Sequence, residues 1–382
     1  MLAKSRLLSL TAISLFLVLT LSSCFSNKHV ATANKETTAE QVWTYSLSHP
    51  EGFTIDLSTM TEPAEGISVA YAATQGCHSR EALDSVVSHA IKHNGFVGGW
   101  LDTTDSLYYF DSTRIFPEDS LEAAKKFGVE NGQIAIFVIS EGREIRLDID
   151  RIQQRGVLLV GTTGDYRPLS FVENDSVYWG FEIDMAAEIA RNLGVDVEFV
   201  STSWPTLTND VLAEPQTFDF AISGITITDE RLQIMAMSEG YLENGKTILC
   251  RVEDTTAFHS LSDIDKAEVR VMVNPGGMNE KFAKENLTNS TIIVYPVNEE
   301  IPSLVAQGDA DVMITEITEA PWYVQNDPRL AAPLLNKPFT HGEIGILMRK
   351  GQNDLLQYVN NLIHKMKEDG SLQKLKEKYE LK

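Results

Sequence analysis

The chain reads as an α/β protein of two or three domains, and three observations lead there. From about residue 155 onward, apolar β-branched runs alternate with amphipathic helical stretches, the pattern of parallel strands covered by helices. Glycine-bearing turns follow several of those runs, which suits strand-to-helix corners. The length of 382 residues exceeds what one ordinary core fills.

Charge and cysteine content narrow the function classes. A formal charge of -22 excludes a nucleic-acid partner, because phosphates need a basic surface. Small anions remain eligible where local cations collect them. Three cysteines, Cys24, Cys77 and Cys250, do not make a disulfide framework.

Taken in order, Lys4 and Arg6 precede an apolar run over 7–21 that is too short for a comfortable span, and Leu21-Ser22-Ser23-Cys24 closes it. This resembles a bacterial lipoprotein signal, which implies removal of residues 1–23, acylation of Cys24, and a tethered protein facing the periplasm. Residues 24–41 are polar and poor in large apolar side chains, so they are expected as the tether.

Residues 42–145 form a small α/β or α+β unit, large enough to fold alone. Strands are expected over 52–57, 67–73, 96–101, 107–116 and 133–139. Helices are expected over 80–93, where Ala82, Leu83, Val86, Val87, Ala90 and Ile91 recur at helical spacing, and over 119–127. Cys77 and His78 lack partners at metal-ligand spacing. No site emerges from this unit.

In the remaining 154–382, strands are expected over 157–160, 197–200, 218–222, 246–252, 269–273, 292–295 and 312–315. A helix should run to Leu193-Gly194. The stretch Val271-Met-Val-Asn-Pro-Gly-Gly-Met-Asn-Glu280 is strand, glycine turn and helix start. Two glycines and a helix N-terminus suit an anion such as a carboxylate. Ligands of open α/β sheets bind beyond the carboxyl ends of the strands, where these loops lie.

Four motifs carry a wider resemblance: Gly161-Thr162 through Pro168, Gly180-Phe-Glu-Ile-Asp184, Ile222-Ser-Gly-Ile-Thr-Ile-Thr-Asp-Glu-Arg231 and Asp309-Ala-Asp-Val312. Together they resemble the type II periplasmic solute-binding fold of the amino-acid-binding family 3. The resemblance implies two lobes, about 154–248 with 343–382 and about 252–337. Residues 246–252 would cross between lobes and 342–349 would cross back. A C-terminal helix carrying Leu355, Leu356, Val359, Leu362, Ile363 and Met366 would pack on the first lobe. Lobe closure over a ligand is the expected motion.

A narrower likeness rests on Thr162-Thr-Gly-Asp-Tyr166, Thr202-Ser-Trp204, Glu243-Asn-Gly-Lys-Thr247, Asn274-Pro-Gly-Gly-Met-Asn-Glu280 and Met313-Ile-Thr-Glu-Ile-Thr-Glu-Ala320. These segments are similar to the cyclohexadienyl dehydratases, exported relatives of solute-binding proteins that convert prephenate to phenylpyruvate and arogenate to phenylalanine. The likeness implies that Arg231 grips a carboxylate, with the Thr226 hydroxyl and the Gly224 N–H beside it. Tyr166 and Trp204 would sandwich the ligand. Thr163 would stand where amino-acid binders hold the ammonium with an Asp. Glu319 would be the general acid, Asn274 its partner at the leaving group, and Lys246 a second cation. Gly276 and Gly277 would form the anion nest, where Met278 replaces a threonine, and Glu316 replaces an aspartate.

No cofactor and no metal are implied. An alternative stays open: a non-catalytic lipoprotein receptor that delivers an amino acid or small carboxylate to an ABC permease. The segment Glu343-Ile-Gly-Ile-Leu-Met-Arg349 resembles transport-type binders more than the enzyme.

Overall fold

The computed structural model describes residues 38–102, 106–174 and 176–381, in two units, Met1–Asp150 and Arg151–Lys382. The signal segment, Cys24 and the tether as far as residue 37 lie outside the described residues. Residues 38–41, expected in the tether, instead belong to a helix over 38–48. Its Ala39 and Val42 are fully buried in the core of the first unit, an apolar pair that the polar composition around it conceals.

In that first unit a six-stranded sheet runs in the order Phe53–Asp56, Phe96–Leu101, Tyr108–Phe116, Ile67–Ala70, Ala135–Val138, Arg143–Arg146. Every pairing is antiparallel. The helix Arg80–Lys92 starts at Ser79, whose side chain accepts from the Ala82 amide at 3.1 Å. Its Leu83, Val86, Val87 and Ala90 pack on Phe53, Ile55, Val97 and Phe110. Ala124 of the helix Leu121–Glu130 packs on Ile67, Val69, Phe116 and Ile136. Segregated helices on an antiparallel sheet make this unit α+β.

The second unit has two lobes, each with its own five-stranded sheet. The first runs Asp196–Ser201, Val157–Thr162, Phe220–Ala221, Leu347–Met348, Ala236–Met237. The second runs Thr291–Val294, Arg270–Val273, Val312–Glu316, Lys246–Arg251, Leu330–Ala331. In each sheet the first three strands are parallel and the last two join antiparallel, so the sheets are mixed rather than wholly parallel. The second sheet is buried on both faces, with Ile248, Val271, Val273, Val312 and Ile314 on one side and Leu249, Met272 and Met313 on the other. Double-sided burial explains its continuous apolar runs.

The lobes are joined by a ribbon in which Leu242–Asn244 pairs antiparallel with Gly342–Ile344. The crossing therefore comes just before Lys246, which already belongs to the second sheet, while Leu347–Met348 already belongs to the first. The helix Asn353–Glu368 buries Leu355, Val359, Leu362, Ile363 and Met366. It rests on the first lobe, where Asn360 accepts from the Glu239 amide at 2.8 Å and Lys367 donates to the Gly240 carbonyl at 2.8 Å.

Strand ends set the site. The chain turns to Tyr166 beyond Thr162, to Trp204 beyond Ser201, to Gly224 and Thr226 beyond Ala221, and to Asn274 beyond Val273. Gly180 holds the corner that opens the helix Phe181–Leu193, with φ of +135° and a hypothetical Cβ only 2.3 Å from the Leu169 carbonyl oxygen. That carbonyl accepts from the Glu182 amide at 2.9 Å, so it cannot move aside without breaking the corner. Gly180→Ala should therefore lower the unfolding free energy by about 3 kcal/mol, read from urea titrations at unchanged slope. A loss under ~1 kcal/mol would show that the corner relaxes freely and that this constraint is misread.

Candidate functional site

A cavity lies between the lobes of the second unit. The first lobe contributes Tyr166, Trp204, Gly224, Thr226 and Arg231, and the second contributes Lys246, Asn274, Gly277, Met278, Asn279, Asn298 and Glu316. The expected site residues that do not reach its wall are Thr163, Gly276 and Glu319.

Its electrostatic centre is an ion pair set by strand register. Lys246 lies directly opposite Glu316 in the antiparallel pair, and the Lys246 ammonium binds the Glu316 carboxylate and donates to Asn279 Oδ1 at 2.7 Å. From the other lobe the Tyr166 hydroxyl donates to the same carboxylate, and Thr226 Oγ1 donates to it weakly at 3.5 Å. Burial pushes the Glu316 pKa up, but the Lys246 charge and the hydrogen bonds from Lys246 and Tyr166 outweigh it, and the net shift is downward. Glu316 is an anion here.

Arg231 opens the short helix Asp229–Ile234, capped by Thr228, whose hydroxyl accepts from the Arg231 amide at 3.3 Å. Its Nη1 donates to the Thr226 carbonyl at 2.6 Å, which aims the guanidinium at the cavity. Among the described residues Arg231 is the cavity cation without an ion pair.

Several expected roles are corrected by geometry. The Gly224 N–H donates to Glu182 at 2.7 Å and so points into the lobe, away from any ligand. Gly224 has φ of +65°, and a Cβ there would strike the Tyr166 ring at 2.1 Å; glycine is used for close approach. The Gly276 N–H donates to Glu280 of the following helix at 2.6 Å, so the nest already holds a carboxylate of its own chain. Tyr166 and Trp204 meet edge to face, with centroids 6.2 Å apart and planes at 85°, and do not form a parallel-sided slot. Thr163 does not leave its end of the site without an acid. Its hydroxyl donates to Asp165 at 2.5 Å, Trp204 Nε1 donates to the same oxygen at 3.1 Å, and burial pushes the Asp165 carboxyl up.

Glu319 stands one side chain behind the wall. It follows the strand Val312–Glu316, precedes the helix Ala320–Asn326, and is 0% exposed. Asn298 donates to its Oε1 at 2.9 Å, Thr315 to its Oε2 at 2.5 Å and Tyr323 to its Oε1 at 3.4 Å. Burial pushes its carboxyl up to about 8, with the charges of Glu316 and Asp165 adding to the shift and the Thr315 and Asn298 hydrogen bonds opposing it. Asn298, absent from every sequence motif, lines the cavity and donates also to the Asp165 carbonyl oxygen at 3.0 Å. Two acceptors on the wall, Asn274 Oδ1 and Asn298 Oδ1, are buried with no hydrogen-bond partner among the described residues.

A second buried acid, Glu182, accepts from Tyr241 at 2.5 Å and from Gly224, and burial pushes it up to about 7. The two rims of the cleft are clasped. Arg167 of the first lobe meets Glu299 of the second at 3.3 Å, Trp179 meets Trp322 at 5.7 Å, and on the other rim Lys281 pairs with Glu230. Among the described residues no group of metal-ligating side chains converges.

The site can hold a carboxylate at Arg231, receive hydrogen-bond donors at two amide oxygens, and keep a protonated carboxyl close by in a dry place. Residues 158–382 match the family model for bacterial extracellular solute-binding proteins, family 3. Cyclohexadienyl dehydratase of Pseudomonas aeruginosa is 38% identical over 232 residues, which cover 61% of this chain and 85% of that protein. The L-cystine-binding protein TcyJ of Escherichia coli strain K12 is 28% identical over 231 residues, 60% of this chain and 85% of that protein. Among solved structures, the ancestral amino acid-binding protein AncCDT-1, a precursor of cyclohexadienyl dehydratase, is 38% identical with a TM-score of 0.56, covering 60% of this chain and 98% of its own.

The raised acids make stability depend on pH. A carboxyl raised from 4.5 to about 8, as in Glu319, or to about 7, as in Glu182, holds in the native state a proton that the unfolded chain releases. Stability then falls as pH rises through that window. Urea unfolding at pH 5 and pH 8 should differ by on the order of 6 kcal/mol, less stable at pH 8, and Glu319→Gln should remove the larger part of the difference. Equal stability at both pH values would mean that these carboxyls are not held protonated.

Proposed function

Because the chain belongs to the bacterial extracellular solute-binding proteins of family 3, we propose that it has turned their ligand cleft to catalysis, as a dehydratase acting on prephenate. The observation that carries this is Glu319, a carboxyl shielded from water and protonated up to about pH 8. A neutral acid kept next to an anion behind the cleft wall is what a reaction that expels hydroxide as water requires.

The chemistry asks little more. Protonation of the ring hydroxyl lets water leave, while the ring carboxylate departs as carbon dioxide and its bonding pair completes the aromatic ring. Arg231 takes the side-chain carboxylate bidentately. Asn274 contacts the leaving end of the ring. Lys246, balanced by Glu316, offers hydrogen bonds more than net charge to the ring carboxylate. Likeness to the Pseudomonas aeruginosa enzyme across most of its length supports this reading. No cofactor or metal has a step to perform.

Export and a lipid anchor at Cys24 on the periplasmic side belong to the same proposal. The described residues include no helix long and apolar enough to cross a membrane. A second reading is favoured by one observation: Glu316 neutralises Lys246, leaving Arg231 as the cation of the wall without an ion pair among the described residues. That charge balance suits a monocarboxylate such as an amino acid, delivered to an ABC permease, as the likeness to TcyJ supports.

Purified protein mixed with prephenate at neutral pH should produce phenylpyruvate, followed by its absorbance in alkali. Glu319→Gln should lower turnover by roughly 10²–10⁴-fold while prephenate still binds, and wild-type turnover should decline as pH passes about 8. Absence of turnover together with thermal stabilisation by an amino acid would establish the receptor reading instead.

A further inference from the structure

Asn298 is 4% exposed, forms part of the cavity wall, and has both amide hydrogens engaged. One goes to Glu319 Oε1 at 2.9 Å and the other to the Asp165 carbonyl oxygen at 3.0 Å. These bonds fix which way the amide faces. A backbone carbonyl can only accept, so a flipped amide would set oxygen against oxygen at Asp165. The atom left over is Oδ1, buried and without a hydrogen-bond partner among the described residues. A buried acceptor in that condition calls for a donor from whatever fills the cavity.

The donor has to be compatible with the acid beside it. A hydroxyl about to receive a proton must turn a lone pair toward the acid and its own hydrogen elsewhere. An acceptor one side chain away from Glu319 is where that hydrogen can go.

We propose that Asn298 accepts the hydrogen bond of the ligand's ring hydroxyl and thereby orients that oxygen's lone pair toward Glu319, so that the site prefers a hydroxylated ring to the aromatic product that lacks the hydroxyl. This rests on the dehydratase reading and adds to it a residue and a discrimination. In the step itself the Glu319 side chain, one side chain behind the wall, must come up to the ligand; its proton then moves to the hydroxyl oxygen, and the carbon–oxygen bond breaks with its pair leaving on water. The carbon–carboxylate bond breaks with its pair entering the ring, and carbon dioxide departs. Glu319 is left as a carboxylate, held by the same Asn298 Nδ2–H and by Thr315, until solvent returns a proton. The product then faces Asn298 with no hydrogen to give, and its affinity drops at the moment release is needed.

The test separates binding from turnover. In the Glu319→Gln background, calorimetry should find prephenate bound at least tenfold more tightly than phenylpyruvate, the order expected for a site that loses a hydrogen-bond donor. Adding Asn298→Leu, of similar size, should cut that ratio about tenfold by weakening prephenate more than phenylpyruvate, and the preference that remains is what Lys246 gains from the ring carboxylate, which phenylpyruvate also lacks. A structural role would weaken both ligands together. Should the leucine variant not fold, Asn298→Ala is read the same way. In otherwise wild-type protein the Asn298 variants should lose kcat more than they raise KM. A ratio unmoved by either variant in folded protein overturns the role of Asn298. A wild-type protein that keeps the tenfold preference but never turns prephenate over overturns the dehydratase reading and leaves Asn298 standing. Failure to bind prephenate at all overturns both.

Discussion

The site depends on a single buried ion pair. Lys246 and Glu316 are each 5% exposed, so each charge has lost most of its water and is tolerable only because the other is present. Strand register sets them face to face, and the Tyr166 hydroxyl brings the opposite lobe onto the same carboxylate. The pair keeps Glu316 ionised, and an ionised Glu316 discourages a second negative charge at Glu319. One acid is thus held as an anion and its neighbour as a neutral carboxyl by the same few atoms. Reversing the assignment would need a cation beside Glu319, and among the described residues none pairs with it.

The strongly acidic chain and an anionic ligand are compatible on the same grounds. Most of the carboxylates behind the net charge of -22 are exposed, and charges separated by more than about 8–10 Å are largely screened at physiological salt. Arg231 acts at contact distance inside a closed cleft, where screening is weak. Local geometry therefore outweighs global charge in deciding what binds, while the global charge still disfavours polyanions, whose many phosphates would meet the surface.

How much of this was readable in the sequence depends on how far apart the interacting residues lie along it. The α/β class and the strands of the two lobes follow from local periodicity, and burial of the second sheet on both faces makes its runs conspicuous. The helix over 38–48 was concealed because only Ala39 and Val42 in its first turns are buried apolar residues, and the strand Arg143–Arg146 because its residues carry charge where alternation would be sought. Most of the cavity wall came from motifs at strand ends. The pairings did not: Lys246 with Glu316, Asn298 with Glu319 and Gly224 with Glu182 join residues distant in the chain, and no local pattern encodes which partner an amide or a carboxylate will find. Asp165 was the exception, since it lies inside a motif already singled out through Thr163 and Tyr166.

Asn298 also connects the chemistry to the motion of the lobes. One of its hydrogens is bound within its own lobe, at Glu319, and the other across the cleft, at the Asp165 carbonyl. The cross-cleft bond exists only when the lobes are shut, and only then is the orientation of the amide fixed. In an open cleft Asn298 is free to turn, its Oδ1 can find water, and the Tyr166 hydroxyl no longer touches Glu316. On the proposed function, closure would do more than enclose a ligand: it would set the acceptor that aims the hydroxyl and complete the dry surroundings of Glu319. The clasps at Arg167–Glu299 and Trp179–Trp322 lie on the same side of the cleft as Asn298, next in the chain to Glu299, so the contacts that shut this rim also align the amide. A fold whose lobe closure serves to retain a solute thus needs one acid behind the wall and one amide shared between lobes to make retention and proton transfer the same event.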